Sequence, residues 1–311
     1  MHIVIFGTGA VGGYFGARLA QAGEEVTFIA RGAHLQAIRE HGLFVESGLG
    51  DFRICPAQAT DRPEEAGPVD AVLVGVKAWQ VPEVAPVLAP LIGPETFIVP
   101  LQNGVEAPDQ LAAVWGREHV LGGLCRIIST VTGPGHIRHG GMEPYVAFGE
   151  LDNRPSARAE RLRAAFERAG VRAEIPPDIH VALWEKFLFI APFAGLGAVT
   201  RMSVGVLRSV PPLRQMLEQA IAEAFAVGRA RGVPLPDDAP ARTMALIDGL
   251  PAEGTTSMQR DIVAGRPSEL DYLVGAVVRL GEAAGVDTPL HTFLYYALWA
   301  QERQARGELR S

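Results

Sequence analysis

The chain has 311 residues and is 48% hydrophobic, too long for one ordinary core and rich enough to fill two, so two domains are expected. Its 28 Lys and Arg against 35 Asp and Glu give a net charge of −7 with no dense basic run, which argues against nucleic acid and anionic membrane as partners. Cys55 and Cys125 lie far apart without metal-ligand spacing; they read as small buried hydrophobes in a reducing, cytoplasmic setting rather than as a disulfide framework.

Along the chain, the apolar strand from Met1 to Phe6 runs into Gly7-Thr8-Gly9-Ala10-Val11-Gly12. This is the dinucleotide-binding spacing: Gly7 for the tight turn, Gly9 for close approach of backbone to a pyrophosphate, Gly12 for helix–sheet packing. The amides at the start of the following helix, through Ala10 and Val11, then face the anion. That helix is expected from Ala10 to Gln21, with Val11, Phe15, Leu19 and Ala22 at helical spacing and Gly23 ending it. A second strand, Val26 to Ala30, ends on Arg31, where an NAD-specific fold has an acid. A guanidinium there suits a ribose 2′-phosphate and hence NADPH, the alternative being a solvated surface arginine.

Further strand-like runs, Val69 to Val76 and Thr96 to Leu101, end in Lys77 and in Gln102-Asn103-Gly104, with a helix expected from Val81 to Leu91 between them. Polar residues at these strand ends mark the carboxyl edge of a parallel sheet, where ligands bind in open α/β folds. Short β-like runs follow from Val120 to Phe148, then a charged amphipathic helix from Arg158 to Ala169. Beyond Pro176-Pro177 the pattern is helical: Asp178 to Ala191, Pro212 to Arg231, Thr243 to Leu250, Glu269 to Ala284 and Pro289 to Gln304. The expected fold is therefore α/β, an N-terminal Rossmann-like doubly wound sheet (1–176) followed by an all-helical C-terminal domain (177–311), with the active site in the cleft between them.

Two helical features bear on chemistry. Lys186 sits inside the apolar run Leu183 to Ile190, either snorkelling to water or held by a carboxylate. Ser268 and Asp271 have capping-box spacing, which would place Glu269 in the first turn of a helix. His136 and His139 have no further ligand types near them in sequence, so no metal site is expected. The uncharged run Phe187 to Thr200 is too short and glycine-rich for a bilayer span, and the first strand starts at once with no charged leader, so a soluble protein is expected. The apolar stretch Leu290 to Trp299, with Phe293, Tyr295 and Tyr296, reads as core, with a homodimer surface as the alternative.

The glycine turn with Arg31, Lys77, Gln102-Asn103-Gly104, Leu183-Trp184-x-Lys186, and Ser257-Met258-x-x-Asp261 leading to Arg266-Pro267-x-Glu269-x-Asp271 together resemble the ketopantoate reductase family, the 2-dehydropantoate 2-reductases. The resemblance covers nearly the whole chain in order, and the last motif is far more specific than the first. It implies NADPH-dependent reduction of a 2-keto acid, a small-molecule substrate, to a 2-hydroxy acid, in pantothenate biosynthesis when that substrate is ketopantoate. It also implies Lys186 as proton donor, Glu269 as the acid that orders this lysine and the nicotinamide ribose, and Asn103 beside nicotinamide and substrate. Lys77 is then a cofactor contact, with Gly7 to Gly12, and Ser257 a substrate contact.

The chemistry agrees from below, since an ammonium can stabilise and protonate an oxygen that gains charge, and burial can tune a lysine's pKa for the task. One departure stands out. Pantoate-making members carry asparagines one and two helical turns after the lysine, where this chain has Ile190 and Ala194. Each lost contact to a polar substrate group costs about 1–3 kcal/mol. A paralogue reducing a more apolar 2-keto acid is therefore an alternative, and a non-catalytic NADP-binding redox sensor is a second. Pro192 in the same stretch is expected to bend or end the helix.

Overall fold

The structure is a computed structural model and describes residues 1–309. It forms two compact units, the first comprising Met1–Gln102 with Glu106–Ile179, the second Asn103–Val105 with the chain from His180 onward.

The strands of the first unit are β1 (His2–Phe6), β2 (Glu25–Ile29), β3 (Leu43–Ser47), β4 (Phe52–Ile54), β5 (Gln58–Thr60), β6 (Ala71–Val74), β7 (Phe97–Pro100), β8 (Leu121–Gly133), β9 (His136–Glu150) and β10 (Arg172–Glu174). Its helices are α1 (Ala10–Gln21), α2 (Gly32–His41), α3 (Val81–Val84), α4 (Ala107–Trp115) and α5 (Ala157–Arg168). One sheet, in the order β5-β2-β1-β6-β7, is entirely parallel, with Ile5 opposite both Phe28 and Leu73. Its strands read as unbroken apolar runs because both faces are covered. Ile3, Ile5, Ala71, Leu73, Phe97 and Val99 point into one core; Val4, Phe6, Val72, Val74 and Ile98 point into another.

The region expected as short β runs is instead the long hairpin β8–β9, bulged between Arg126 and Ile128 and between Val131 and Gly133. With β3, β4 and β10 it builds a second, mixed sheet that the sequence pattern did not announce. The helix expected from Val81 to Leu91 is α3 followed by a 3₁₀ segment, Ala85–Leu91. Pro82, Pro86 and Pro90 recur every fourth residue, so the amide that an α-helix needs is missing at each turn.

The second unit contains α6 (Ile179–Thr200), α7 (Val204–Ser209), α8 (Pro211–Ala230), α9 (Ala239–Asp248), α10 (Ser257–Val263), α11 (Val274–Ala284) and α12 (Pro289–Ala305). Pro192 does not end α6, which continues past it to Thr200. Buried Leu188 and Ala191 before the proline, and Phe193, Ala194, Leu196 and Ala198 after it, join one core, and this packing outweighs a single missing hydrogen bond. By length and composition α6 could cross a membrane, yet 67% of its apolar window is buried inside the protein, as in a core helix. In α12, Leu294 and Leu298 are core, whereas Phe293 and Tyr296 are 59% and 63% exposed, which corrects the assignment of the whole stretch to the interior. Cys125 is buried but Cys55 is exposed, so only the former is a packed hydrophobe. His136 stacks on Phe44, and the His139 ring is hydrogen-bonded to the Ser47 hydroxyl and the Met142 carbonyl, which gives both imidazoles a place in the second sheet.

Candidate active site

In the first unit the glycine turn is shaped by close packing. Gly7 has φ +98°, and a Cβ there would lie 2.8 Å from the Val76 amide nitrogen. At Gly12 a Cβ would sit 2.3 Å from the Gly7 carbonyl oxygen, and at Gly75 2.9 Å from the Gly12 Cα. The turn, the start of α1 and the end of β6 are thus pressed together, leaving room for glycine alone. Gly9 is the opposite case: a Cβ would meet nothing within 4 Å. Gly9 is also the N-cap of α1 and supplies no side-chain cap, so among the described residues the amides of Ala10 and Val11 at the helix start receive no side-chain cap. Open space before uncapped amides fits a pyrophosphate.

Thr8 is buried, and both its N–H and its hydroxyl donate to the Ile29 carbonyl (3.0 and 2.9 Å), tying the turn to β2. Arg31 is the exposed N-cap residue of α2, and among the described residues its guanidinium has no hydrogen bond or ion pair. Lys77 is exposed directly after Val76, with its ammonium 5.7 Å from the centroid of the Trp79 ring. Gln102 belongs to the strand-end motif read from sequence, which assigned it no role of its own. It is buried, and its side-chain amide donates to the Val74 and Val76 carbonyls (2.8 and 2.9 Å), locking the ends of β6 and β7 together. Its Oε1 is buried without a partner among the described residues.

In the second unit, Asn103 Nδ2 donates to Glu269 Oε2 at 3.1 Å across 166 residues of sequence. Gly104, at φ +96°, lets this segment approach the 270s closely, since a Cβ would lie 2.8 Å from the Tyr272 carbonyl oxygen. Glu269 is only 5% exposed. The helix expected to start at Glu269 does not: a 3₁₀ turn, Leu270–Tyr272, intervenes before α11. Only half of the capping box forms: Ser268 Oγ accepts from the Leu270 N–H at 3.2 Å, but the Ser268 N–H, like its hydroxyl, donates to the Glu302 carboxylate rather than to Asp271. Asp271 in turn accepts from Tyr295 Oη at 2.8 Å and from Arg303 at 2.9 Å.

Lys186 is half-buried on α6, with Ile190 half-buried one turn later and Ala194 fully buried another turn on. The helix neighbours α10 and α11: a Cβ at Gly197 would meet Gln259 Oε1 at 2.7 Å, and one at Gly195 would meet Val274 Cγ2 at 2.9 Å. Ser257 opens α10, half-buried, beside the N-cap Thr256, whose hydroxyl accepts from the Gln259 amide. Structure therefore gathers the glycine turn, the end of β6 and Gln102 in the first unit, and joins Asn103 to Glu269 in the second, where Lys186 and Ser257 lie on the neighbouring helices α6 and α10.

A glycine turn at an open helix N-terminus and a helical unit bearing a lysine and a buried carboxylate define the class, a dinucleotide-dependent oxidoreductase. Residues 3–153 match the family model described as ketopantoate reductase PanE/ApbA, and residues 178–302 match its C-terminal counterpart. A 2-dehydropantoate 2-reductase of Mesorhizobium japonicum is 33% identical over 93% of this chain and 94% of its own length. A ketopantoate reductase of Ralstonia eutropha superimposes with a TM-score of 0.89 at 32% identity, covering 98% of this chain and all of that one. A D-mandelate dehydrogenase in ternary complex with NADH and anilino(oxo)acetate also has a TM-score of 0.89, at 25% identity over 98% of this chain and all of that one. The chain belongs to the ketopantoate reductase family; it is an oxidoreductase, and its cofactor is NADPH.

Proposed function

We propose that the chain reduces a 2-keto acid to the 2-hydroxy acid, with ketopantoate as the substrate and pantoate as the product. The observation that carries this reading is the hydrogen bond from Asn103 to Glu269, which joins the motif after β7 to the most specific motif of the chain. NADPH supplies the hydride. The amides at the start of α1 and the open face of Gly9 receive the pyrophosphate, Arg31 the 2′-phosphate, and Lys77 a further anionic edge of the cofactor. Lys186 donates the proton to the substrate oxygen as charge builds on it, Glu269 orders that lysine, Asn103 orients a carbonyl or carboxamide without adding charge, and Ser257 contacts the substrate. Two free cysteines, one of them exposed, support a reducing, cytoplasmic location.

A second reading has a specific observation in its favour. Ile190 and Ala194 offer no hydrogen bond along α6, and the family's fold is shared with a dehydrogenase whose named substrate class is aromatic. On that reading the substrate is a more apolar 2-keto acid. NADPH oxidation followed with ketopantoate, phenylglyoxylate and 4-methyl-2-oxopentanoate separates the two. A kcat/KM for ketopantoate above about 10⁴ M⁻¹s⁻¹ and above that of the others supports the first. The reverse order supports the second, and turnover with any of them disposes of a non-catalytic sensor.

A further inference from the structure

Glu269 owes its position to neighbours on both sides that α12 grips. Before it, Ser268 is fully buried; its N–H lies 3.0 and 3.1 Å from the two Glu302 carboxylate oxygens, its hydroxyl donates to Oε2 at 2.5 Å, and its carbonyl accepts from Arg306 at 2.9 Å. After it, Asp271 is held by Tyr295 and Arg303 of the same helix. Glu302 is itself 1% exposed and receives Arg306 Nε at 2.7 Å. Burying a carboxylate against a partly buried guanidinium to hold one serine is a costly way to join two helices, since apolar residues of equal volume serve stability as well or better. What charged, directional bonds add is a fixed torsion of the backbone. Glu269 has φ −91° and ψ 24°, between the helical and extended wells, and it is spanned by the Leu270 N–H donating to Ser268 Oγ at 3.2 Å, so a grip on Ser268 bears directly on it.

We propose that Glu302 is a positioning residue: anchored by Arg306, its buried carboxylate grips Ser268 through N–H and hydroxyl and thereby fixes the adjacent Glu269 carboxylate toward Asn103. This rests on Glu269 acting in turnover. Arg303 and Tyr295 hold the far flank, so losing Glu302 frees the segment at one end rather than releasing it.

The test compares Glu302→Gln, Glu269→Gln and the double variant in the full chain, using NADPH and the preferred 2-keto acid, with Tm recorded for each. Glu302→Gln keeps the volume but presents a donor to Ser268 or Arg306. Its kcat is expected to fall about 10- to 100-fold through displacement of Glu269 by a fraction of an ångström, with KM for NADPH within about twofold. In the Glu269→Gln background the same change should alter kcat by less than about twofold, which loss of stability alone would not produce. An equal loss in both backgrounds, or unchanged kcat in Glu302→Gln while Glu269→Gln is impaired, overturns the proposal alone. Full activity of Glu269→Gln overturns the underlying reading as well. Should Glu302→Gln fail to fold, Ser268→Ala removes only the hydroxyl bond; a kcat loss of about three- to tenfold, restored by Ser268→Thr, supports the proposal, and no loss overturns it.

Discussion

The glycine turn of the first unit and the Glu269 segment of the second are both irregular backbone at the end of a regular element, yet they are held in opposite ways. The turn is shaped by missing side chains: Gly7, Gly12 and Gly75 are packed so closely that a Cβ at any of them would collide with backbone. Most of the information needed lies within the strand, turn and helix themselves, the outside contributions being one carbonyl of β2 and the close-packed end of β6 at Gly75 and Val76. The Glu269 segment is shaped by side chains that are present and distant, with Glu302 and Arg303 reaching it from 34 and 32 residues away. Steric exclusion by glycine is cheap and local, whereas a buried ionic grip must be assembled by the rest of the fold.

The contrast predicts a division of effects between turnover, folding and binding. Lys186→Ala tests the second unit's share, with kcat expected to fall by about 10³-fold while NADPH still binds, as measured by steady-state kinetics and fluorescence titration. Near-normal kcat would remove this lysine as the acid. In the first unit, Gly12→Ala should destabilise by upwards of about 3 kcal/mol in denaturant unfolding, because its Cβ is aimed at the Gly7 carbonyl. Gly9→Ala meets open space and should leave Tm within a degree or so while raising the dissociation constant for NADPH; tight binding by that variant would move the pyrophosphate elsewhere.

Arg31→Ala should weaken NADPH about 10- to 100-fold and NADH little, since only NADPH carries the 2′-phosphate. Equal weakening of both would refute that contact. The smallest effect concerns acid stability. Burial alone would raise the Glu223 carboxyl, but hydrogen bonds from the His291 ring and from the His291 and Leu290 amides bring it below the usual carboxylate range. The unfolded chain therefore takes up this proton at higher pH than the folded one. The stabilisation is complete above the ordinary carboxylate value and fades as pH falls through the lower folded value. Tm should drop by a few degrees between about pH 5 and about pH 3, and less so in Glu223→Gln.

How much of this could be read from sequence follows the same line. Helix α1 was legible to its last residue because its period, its glycine start and its stop at Gly23 are local. The 3₁₀ segment after α3 is legible in the four-residue proline spacing, which removes an amide from each turn of the expected helix. The passage of α6 through Pro192 and the start of α11 were not legible, because one depends on a core packed around the proline and the other on Glu302 taking the Ser268 N–H while Tyr295 and Arg303 take the Asp271 carboxylate. For the site, the sequence named Asn103 and Glu269 by family resemblance, but their contact and the partners of Ser268 and Asp271 appear only in three dimensions.

By itself, then, the sequence determined what nearest neighbours along the chain can decide: the glycine turn, the parallel strands with both faces apolar, the cofactor-selecting arginine and the succession of helices. Tertiary structure decided which buried polar groups are satisfied by whom, because such partners are chosen by the geometry of elements that meet only after folding. Gln102 locking two strand ends and Glu302 claiming Ser268 are decisions of that kind.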